Sequence, residues 1–384
     1  MFLIYGPERS CQEDNKKSEN LAKQPRVLVA LSGGVDSAVS AHLLSKEGYE
    51  LLAATMILLP CVGAGEPARP NCCCGEQSIS AARRISAQLG IPHSLVDLAD
   101  EFEKQIISRF LSEYSRARTP NPCVWCNREI KFGLLNQKSR ALGCDTVATG
   151  HYAKVEKDAL TGKFLLKKGK DSKKDQSYFL FSLTQEQLSN TLFPLAPLTK
   201  TEVREIAKEA GISAFNARES QDICFVPGND CTQFLRERLG GALIPGNFRD
   251  SSGKVLGMHG GIQLYTVGQR RRLGIAKGEP LYVLKIDSQT NEIILGPKEE
   301  LYATSLTASE VNWIGFDQPP AEIRCCARIR YSHKEAPATV RRISEDSVEV
   351  KFDEPQMAIT PGQAVVFYDE DRVLGGATIL DSRQ

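Results

Sequence analysis

The sequence predicts an α/β protein with an N-terminal doubly wound parallel sheet, a small central domain and a C-terminal antiparallel β-barrel. Three observations carry this. Apolar β-rich runs alternate with amphipathic helical stretches across residues 26–150, the pattern of buried parallel strands joined by helices. After about residue 219 glycines and prolines multiply and long helical patterns stop. From about residue 291 short alternating strands follow one another, as in a small barrel. A chain of 384 residues also exceeds one ordinary core.

Residues 1–25 open with a short apolar stretch and turn polar, with acids among the bases. They lack the positive start and long apolar core of a secretory signal and read as a disordered leader. "RVLVAL" (26–31) is the first strand, and "SGGVDS" (32–37) the turn after it. A helix follows with Val35, Val39 and Leu43 on one face, closed by Gly48. "LLAATMI" (51–57) is the second strand, and residues 77–89 a helix with Ile79, Ala82, Ile85 and Leu89 in register and Gly90 past its end. "HSLVDL" (93–98) is the third strand, followed by a helix from about Asp100. The flanks of "NPCVWCN" (121–127) suggest a loop; a helix over 128–142 ends at Gly143, and "DTVATG" (145–150) is a further strand. A basic, turn-rich stretch, "KKGKDSKKDQ" (167–176), precedes a helix over 201–210 that has Thr199 and Glu202 in capping-box spacing. The expected domains are 26–218, 219–290 and 291–384. Strand alternation in "RCCARIRY" places one of Cys325 and Cys326 inside the barrel and the other outside.

Charged residues make up 25% and apolar residues 41% of the chain, an ordinary soluble balance. A net charge of +1 supplies no global field for nucleic acid. A polyanion must therefore be met by local patches, such as Lys167, Lys168, Lys170, Lys173 and Lys174, or Arg270–Arg272. No apolar run is long enough to span a bilayer. Twelve cysteines in a long chain without an export signal point to thiol or metal chemistry in a reducing, cytoplasmic setting. The five histidines show no ligand spacing with one another.

Two stretches carry chemistry. In "VLVALSGGVDSAVSAHLL" a strand ends, a Ser-Gly-Gly turn follows and a helix begins. Gly33 and Gly34 let backbone N–H groups approach an anion, the helix N-terminus adds its positive end, and Ser32 and Ser37 offer hydroxyls. Asp36 is placed to help hold the magnesium that phosphates require. There is no Gly-Lys-Ser/Thr, so kinase-type γ-phosphate transfer is not favoured, and the dinucleotide GxGxxG is absent as well. The second stretch is Cys123–Cys126, a CxxC. By itself it is compatible with zinc, a redox disulfide, an iron–sulfur cluster or a nucleophile.

"SGGVDS" after a strand resembles the phosphate loop of the PP-loop ATP pyrophosphatase superfamily, which splits ATP between its α and β phosphates. "TPNPCVWCNREIKFGLL" (119–135), "ATGHYAKV" (148–155), "KDQSYFL" (174–180), "ESQDICFV" (219–226), "YTVGQRRRLGI" (265–275), "RIRYSH" (328–333) and "TPGQAVVFYDEDRVLGG" (360–376), in that order, resemble the tRNA-specific 2-thiouridylase family. The resemblance implies a reaction. ATP adenylates the C2 oxygen of the wobble uridine, position 34 in the tRNAs for Lys, Glu and Gln, and a sulfur then displaces AMP. Matching motifs implies that Ala30, Leu31, Ser32, Gly33, Gly34, Val35, Asp36 and Ser37 hold the ATP phosphates, that Met56 meets the adenine and that Gly150 lines the nucleotide pocket. It implies that Asn121, Pro122 and Cys123 contact the target base, that Cys126 is the nucleophile and that Cys224 carries a persulfide. Lys174, Asp175, Gln176, Arg330 and Tyr331 are implied tRNA contacts.

Some family members carry Asp where this chain has Cys123, and the family commonly has Gly at the position of Arg272. The change to Cys123 opens a second mechanism, in which Cys123, Cys126 and Cys224 hold a four-iron four-sulfur cluster whose open iron presents sulfide. In the first mechanism a cysteine desulfurase or sulfur-relay protein loads Cys224, and a Cys126–Cys224 disulfide forms as sulfur leaves. The expected cofactors are ATP and Mg2+, and the expected state is a monomer. A small-molecule ligase of the same superfamily and a non-catalytic RNA-binding protein are the alternatives of other classes. Neither uses the two reactive-cysteine motifs.

Overall fold

The computed structural model describes residues 25–60, 75–212, 223–275 and 278–383. The leader up to residue 24, Cys72–Cys74 and the expected boundary at residue 218 lie outside them. The chain divides into two compact units. One comprises residues 1–102, 126–225 and 371–373; the other comprises 103–125, 226–370 and 374–384.

The first unit is built on a parallel sheet of β1 (Arg26–Ala30), β2 (Glu50–Ile57), β3 (His93–Asp97), β4 (Thr146–Ala148) and, after the hairpin β5 (Ala153–Lys157) and β6 (Phe164–Lys168), β7 (Thr191–Leu192). The order is β3-β2-β1-β4-β7. The reversal falls beside β1, so the turn after β1 opens at the switch point, where such sheets bind ligands. β1 is central and apolar after Arg26, with Val27, Leu28 and Val29 fully buried, because both faces of a parallel sheet are covered. The helices Val35–Lys46, Glu76–Leu89 and Lys200–Glu209 bury Val39, Ile85 and Val203 in the same core. Gly90 ends the second helix in the left-handed region at φ +67°. Thr199 and Glu202 form the capping box expected of them.

The second unit holds two sheets. β8 (Gly246–Asp250), β9 (Val255–His259), β10 (Tyr282–Asp287) and β11 (Glu292–Gly296) pack around Phe248, Val283 and Ile293 in the order β10-β11-β8-β9. β12 (Tyr302–Trp313), β13 (Glu322–Arg328), β14 (Ala336–Arg342), β15 (Ser347–Met357), β16 (Ala364–Asp369) and β17 (Arg372–Arg383) form an antiparallel barrel, closed where β12 pairs with β17. Cys325 is buried in the barrel core and Cys326 faces the other way, with burial pushing the Cys325 thiol up to about 12.

Three sequence expectations need correcting. Residues 292–296 belong to the central sheet, not to a barrel starting at residue 291, because Ile293 pairs with both Phe248 and Ile286. Alternation marks a strand but not its partner. Residues 103–125 group with the second unit although they lie within the span 26–218. The rings of Phe110 and Phe234 meet at 6.2 Å, and Arg238 reaches Glu103 at 2.7 Å. Finally, the "NPCVWCN" segment is helical rather than a loop: Pro122–Trp125 form one α-turn and Cys126–Leu134 a π-helical stretch. Proline suits a first helical turn because its missing N–H would have no partner there.

Arg272 holds a backbone conformation that favours glycine. Its φ is +63°, in the region glycine occupies at no cost. Its guanidinium lies 3.6 Å from Asp230. Among the described residues no helix is long and apolar enough to cross a membrane.

Candidate nucleotide and sulfur-transfer site

β1 delivers the turn and the helix Val35–Lys46 receives it. Gly33 sits at φ +80°, and a Cβ there would lie 2.6 Å from the Ser78 carbonyl oxygen. Gly34 is different: its φ is −85° and its nearest neighbour would be Ser32 Oγ at 3.5 Å. Only Gly33 is demanded by the backbone. Ser37 is buried and braces the turn, donating to the Gly34 carbonyl at 3.0 Å and accepting the Ser32 N–H at 3.2 Å. Ser32 is exposed beside it. Below the loop, Thr55 Oγ1 donates to the Leu31 carbonyl at 2.6 Å and accepts from His93 Nε2 at 2.8 Å. Met56, the next residue on β2, is half-buried. Gly150 lets the exit from β4 lie directly on the helix start, since a Cβ there would meet Ser37 N at 2.8 Å.

The side chain of Asp36 is clamped. Lys200 Nζ donates to Oδ1 at 2.7 Å and to Oδ2 at 2.8 Å, and Tyr152 Oη donates to Oδ1 at 2.7 Å. A carboxylate offers roughly four lone-pair sites, so the clamp leaves room for a further bond. The residues thus fit magnesium, which takes one or two carboxylates together with substrate phosphates. Sequence reasoning missed Lys200 and Tyr152 as site residues. Tyr152 stands inside a quoted motif and Lys200 inside a helix cap, but no spacing ties either to a partner more than a hundred residues away.

The implied tRNA contacts on the 167–176 stretch fare unequally. Lys174 is half-buried on the loop. Asp175 is buried and organises the loop, accepting from Gly169 N at 3.2 Å, Ser177 N at 3.2 Å and Ser177 Oγ at 2.8 Å. Gln176 pairs with the Tyr152 backbone through its own N–H at 2.8 Å and its Oε1 at 3.0 Å. Lys170 is committed to Glu202 at 2.7 Å. That ammonium, with help from Thr199, holds the Glu202 carboxyl at about 2.

Cys126 is buried at the head of the π-helical stretch, whose Asn127 donates to the Phe179 carbonyl at 3.0 Å. Cys224 is half-buried; the next residue, Phe225, packs edge-on against Phe102 at 5.8 Å. The short helix Ala99–Phe102 also packs on Cys126–Leu134, so one support lies behind both cysteine segments. Among the described residues no group of three or more His, Cys, Asp or Glu is gathered to hold a metal ion.

In the second unit, Cys123 is exposed on the helical turn that follows Asn121. The segment just before it is clasped by the loop preceding β16. Thr119 N donates to the Pro361 carbonyl at 2.9 Å, and Gln363 Nε2 donates to the Thr119 carbonyl at 2.8 Å. Gly362, at φ +91°, allows the approach, because a Cβ would lie 2.9 Å from Thr119 O. Arg330 braces the same loop, donating to the Val267 carbonyl at 2.9 Å and to Thr360 Oγ1. Tyr331 lies under the Arg328 guanidinium at 5.2 Å. Trp125 is held by Arg109, stacked 4.1 Å from its ring and paired with Glu310 at 2.7 Å.

All five histidines are held below the usual 6.5, chiefly by burial. Lys46 adds to the effect at His42, Arg83 at His93, Lys131 at His151, and Arg330 with Arg328 at His333; an Asn291 hydrogen bond opposes it at His259. The shift is largest at His151, wedged between Phe132 and Phe193 at 5.9 and 5.8 Å, which supports a structural role. Below about pH 6.5 the unfolded chain binds more protons than the folded one, so stability is fully present above that pH and is lost as pH falls. The melting temperature is expected to drop between pH 7.5 and 5.5, and His151→Phe is expected to flatten the drop.

A family described as "tRNA methyl transferase HUP domain" matches residues 25–228, "tRNA methyl transferase PRC-barrel domain" matches 232–297, and "Aminomethyltransferase beta-barrel domain" matches 303–379. The chain is 49% identical to the tRNA-specific 2-thiouridylase MnmA of Halothermothrix orenii, over 93% of this chain and 99% of that one. It is 48% identical to the protein of the same name from Geotalea uraniireducens, over 93% and 95%. With that from Clostridioides difficile it shares 45% identity, over 93% and 98%.

Proposed function

The chain belongs to the tRNA-specific 2-thiouridylase family, and from that membership we propose that it carries out ATP-dependent 2-thiolation of the wobble uridine, position 34, in the tRNAs for Lys, Glu and Gln. One observation carries the reading. Relatives named for this reaction match over 93% of the chain, so the phosphate loop, the CxxC and Cys224 fall within a single match. The label "methyl transferase" on two of the domains fits less well. Methyl transfer leaves a loop for splitting ATP without a task.

ATP lies on the Ala30–Ser37 turn, with its phosphates against the loop N–H groups and its adenine beside Met56; Gly150 gives the loop its close floor. Asp36 would hold magnesium, which would supply charge neutralisation at the phosphates. The uridine C2 oxygen attacks the α-phosphorus, a C2–O–P bond forms, and pyrophosphate leaves. This turns a poor leaving group into a good one. A persulfide on Cys224, loaded by a cysteine desulfurase or sulfur-relay protein, then attacks C2 through its outer sulfur and AMP departs. The Cys126 thiolate attacks the Cys224 sulfur and breaks the S–S bond. The products are 2-thiouridine and a Cys126–Cys224 disulfide, which a thiol reductant reopens. Asn121, Pro122 and Cys123 hold the flipped base. Lys174, Asp175, Gln176, Arg330 and Tyr331 face tRNA, Asp175 and Arg330 by shaping the backbone around them. The protein works as a cytoplasmic monomer, where its thiols stay reduced.

The test is thiolation by protein purified without oxygen, with iron and acid-labile sulfide measured on the same sample and Cys123→Asp assayed alongside. Full activity in iron-free protein given a persulfide donor is the expected result. Activity that needs a stoichiometric cluster, and is lost in Cys123→Asp, would establish the iron–sulfur route instead. No AMP and no 2-thiouridine with any of the three tRNAs would end the reading.

A further inference from the structure

The clamp on Asp36 and the loop 169–177 are joined by hydrogen bonds at two places. Lys200 reaches both Asp36 oxygens with Nζ at 2.7 and 2.8 Å, while its backbone N–H donates to Asp171 Oδ2 at 2.9 Å. Tyr152 does the same from the other side. Its Oη donates to Asp36 at 2.7 Å, its N–H donates to Gln176 Oε1 at 3.0 Å, and its carbonyl accepts the Gln176 N–H at 2.8 Å. The loop also lies flat on Tyr152, since a Cβ on Gly169 would come within 2.9 Å of the Tyr152 carbonyl carbon. Asp175 closes the loop on itself through Gly169 and Ser177. Both Tyr152 and Lys200 are buried, where hydrogen bonds are shielded from water and hold geometry firmly. Little slack separates the loop from the carboxylate.

We infer that Tyr152 and Lys200 are positioning residues that couple tRNA docking on the 169–177 loop to nucleotide binding at Asp36. The inference rests on the proposed function, in that Lys174–Gln176 meet tRNA and Ala30–Ser37 hold ATP. Phosphates arriving at this lysine-bearing loop draw its backbone toward them. The backbones of Tyr152 and Lys200 follow, and Asp36 is set for magnesium-bound ATP. Linkage then requires ATP to tighten tRNA by the same factor that tRNA tightens ATP.

The experiment measures the dissociation constant of magnesium α,β-methylene-ATP with and without saturating tRNA, and that of tRNA with and without the analogue. The analogue is not cleaved between its α and β phosphates, so only binding is read. In the native protein each ligand is expected to tighten the other about fivefold or more. Tyr152→Phe keeps the ring and loses the bond to Asp36; its coupling factor is expected to fall to within about twofold of unity. Asp171→Ala cuts the Lys200 route at a half-buried loop residue and is expected to lower the factor as well, which provides a second reading if Tyr152→Phe folds poorly by thermal unfolding. A merely structural role would weaken the two separate affinities and leave the factor unchanged. That outcome, or a native factor of one, would overturn the inference. Failure of the underlying function would look different: native protein that neither binds tRNA nor forms 2-thiouridine.

Discussion

Cys126→Ser is expected to lower 2-thiouridine formation by about a thousandfold or more, because a neutral hydroxyl does not attack sulfur as a thiolate does. Pyrophosphate release should survive, since adenylation uses the phosphate loop and no sulfur. Cys224→Ser should be equally inactive in thiolation, for a different reason. With labelled sulfur from a persulfide donor, Cys126→Ser should load and retain the label, whereas Cys224→Ser should fail to load. Cys123→Ser is the discriminating control. Cys123 is exposed on a helical turn and carries no sulfur in the persulfide route, so its loss should cost at most about tenfold. If Cys123→Ser were as inactive as the other two, the three thiols would be acting together and the persulfide route as written would fall.

Gly33→Ala is expected to raise the KM for ATP by about a hundredfold or more, while Gly34→Ala stays within about fivefold. The two glycines are neighbours in sequence, so the contrast is a sharp one. At Gly33 a side chain meets a left-handed backbone, costing about 1–2 kcal/mol, and a backbone oxygen at 2.6 Å. Relieving that overlap adds about 1–3 kcal/mol. At about 1.4 kcal/mol per tenfold, a displacement of the loop by this strain accounts for two decades. At Gly34 the backbone is extended and the nearest atom is a movable hydroxyl at 3.5 Å. Equal losses at both positions would mean that bulk near the phosphates, rather than backbone conformation, sets the requirement.

Much of the architecture was legible in the residues. The runs "RVLVAL", "LLAATMI" and "HSLVDL" read as strands because a parallel sheet covered on both faces needs continuous apolar β-formers. The Ser-Gly-Gly turn between a strand and a helix was legible because its glycines fall between a strand pattern and a helix pattern. The capping box at Thr199 and Glu202 depends on a three-residue spacing and appears as expected. Other features were misread where the deciding partner lay far along the chain. The segment 121–127 looked like a loop because its Asn and Pro suit both a turn and a helix start. Residues 292–296 looked like barrel because alternation is the same in any half-buried strand.

Local spacing in this sequence thus determined the strand–turn–helix that begins at β1 and the place of its glycines. Only the tertiary structure decided that Lys200 and Tyr152 converge on Asp36, that Gln363 and Pro361 clasp Thr119, and that β17 closes the barrel on β12. The reason is physical. Periodicity and caps are set within one or two turns of chain, where neighbours are fixed by covalent distance. A hydrogen bond between residues 116 or 164 positions apart leaves no mark on spacing, and it exists only once burial has brought the two segments together.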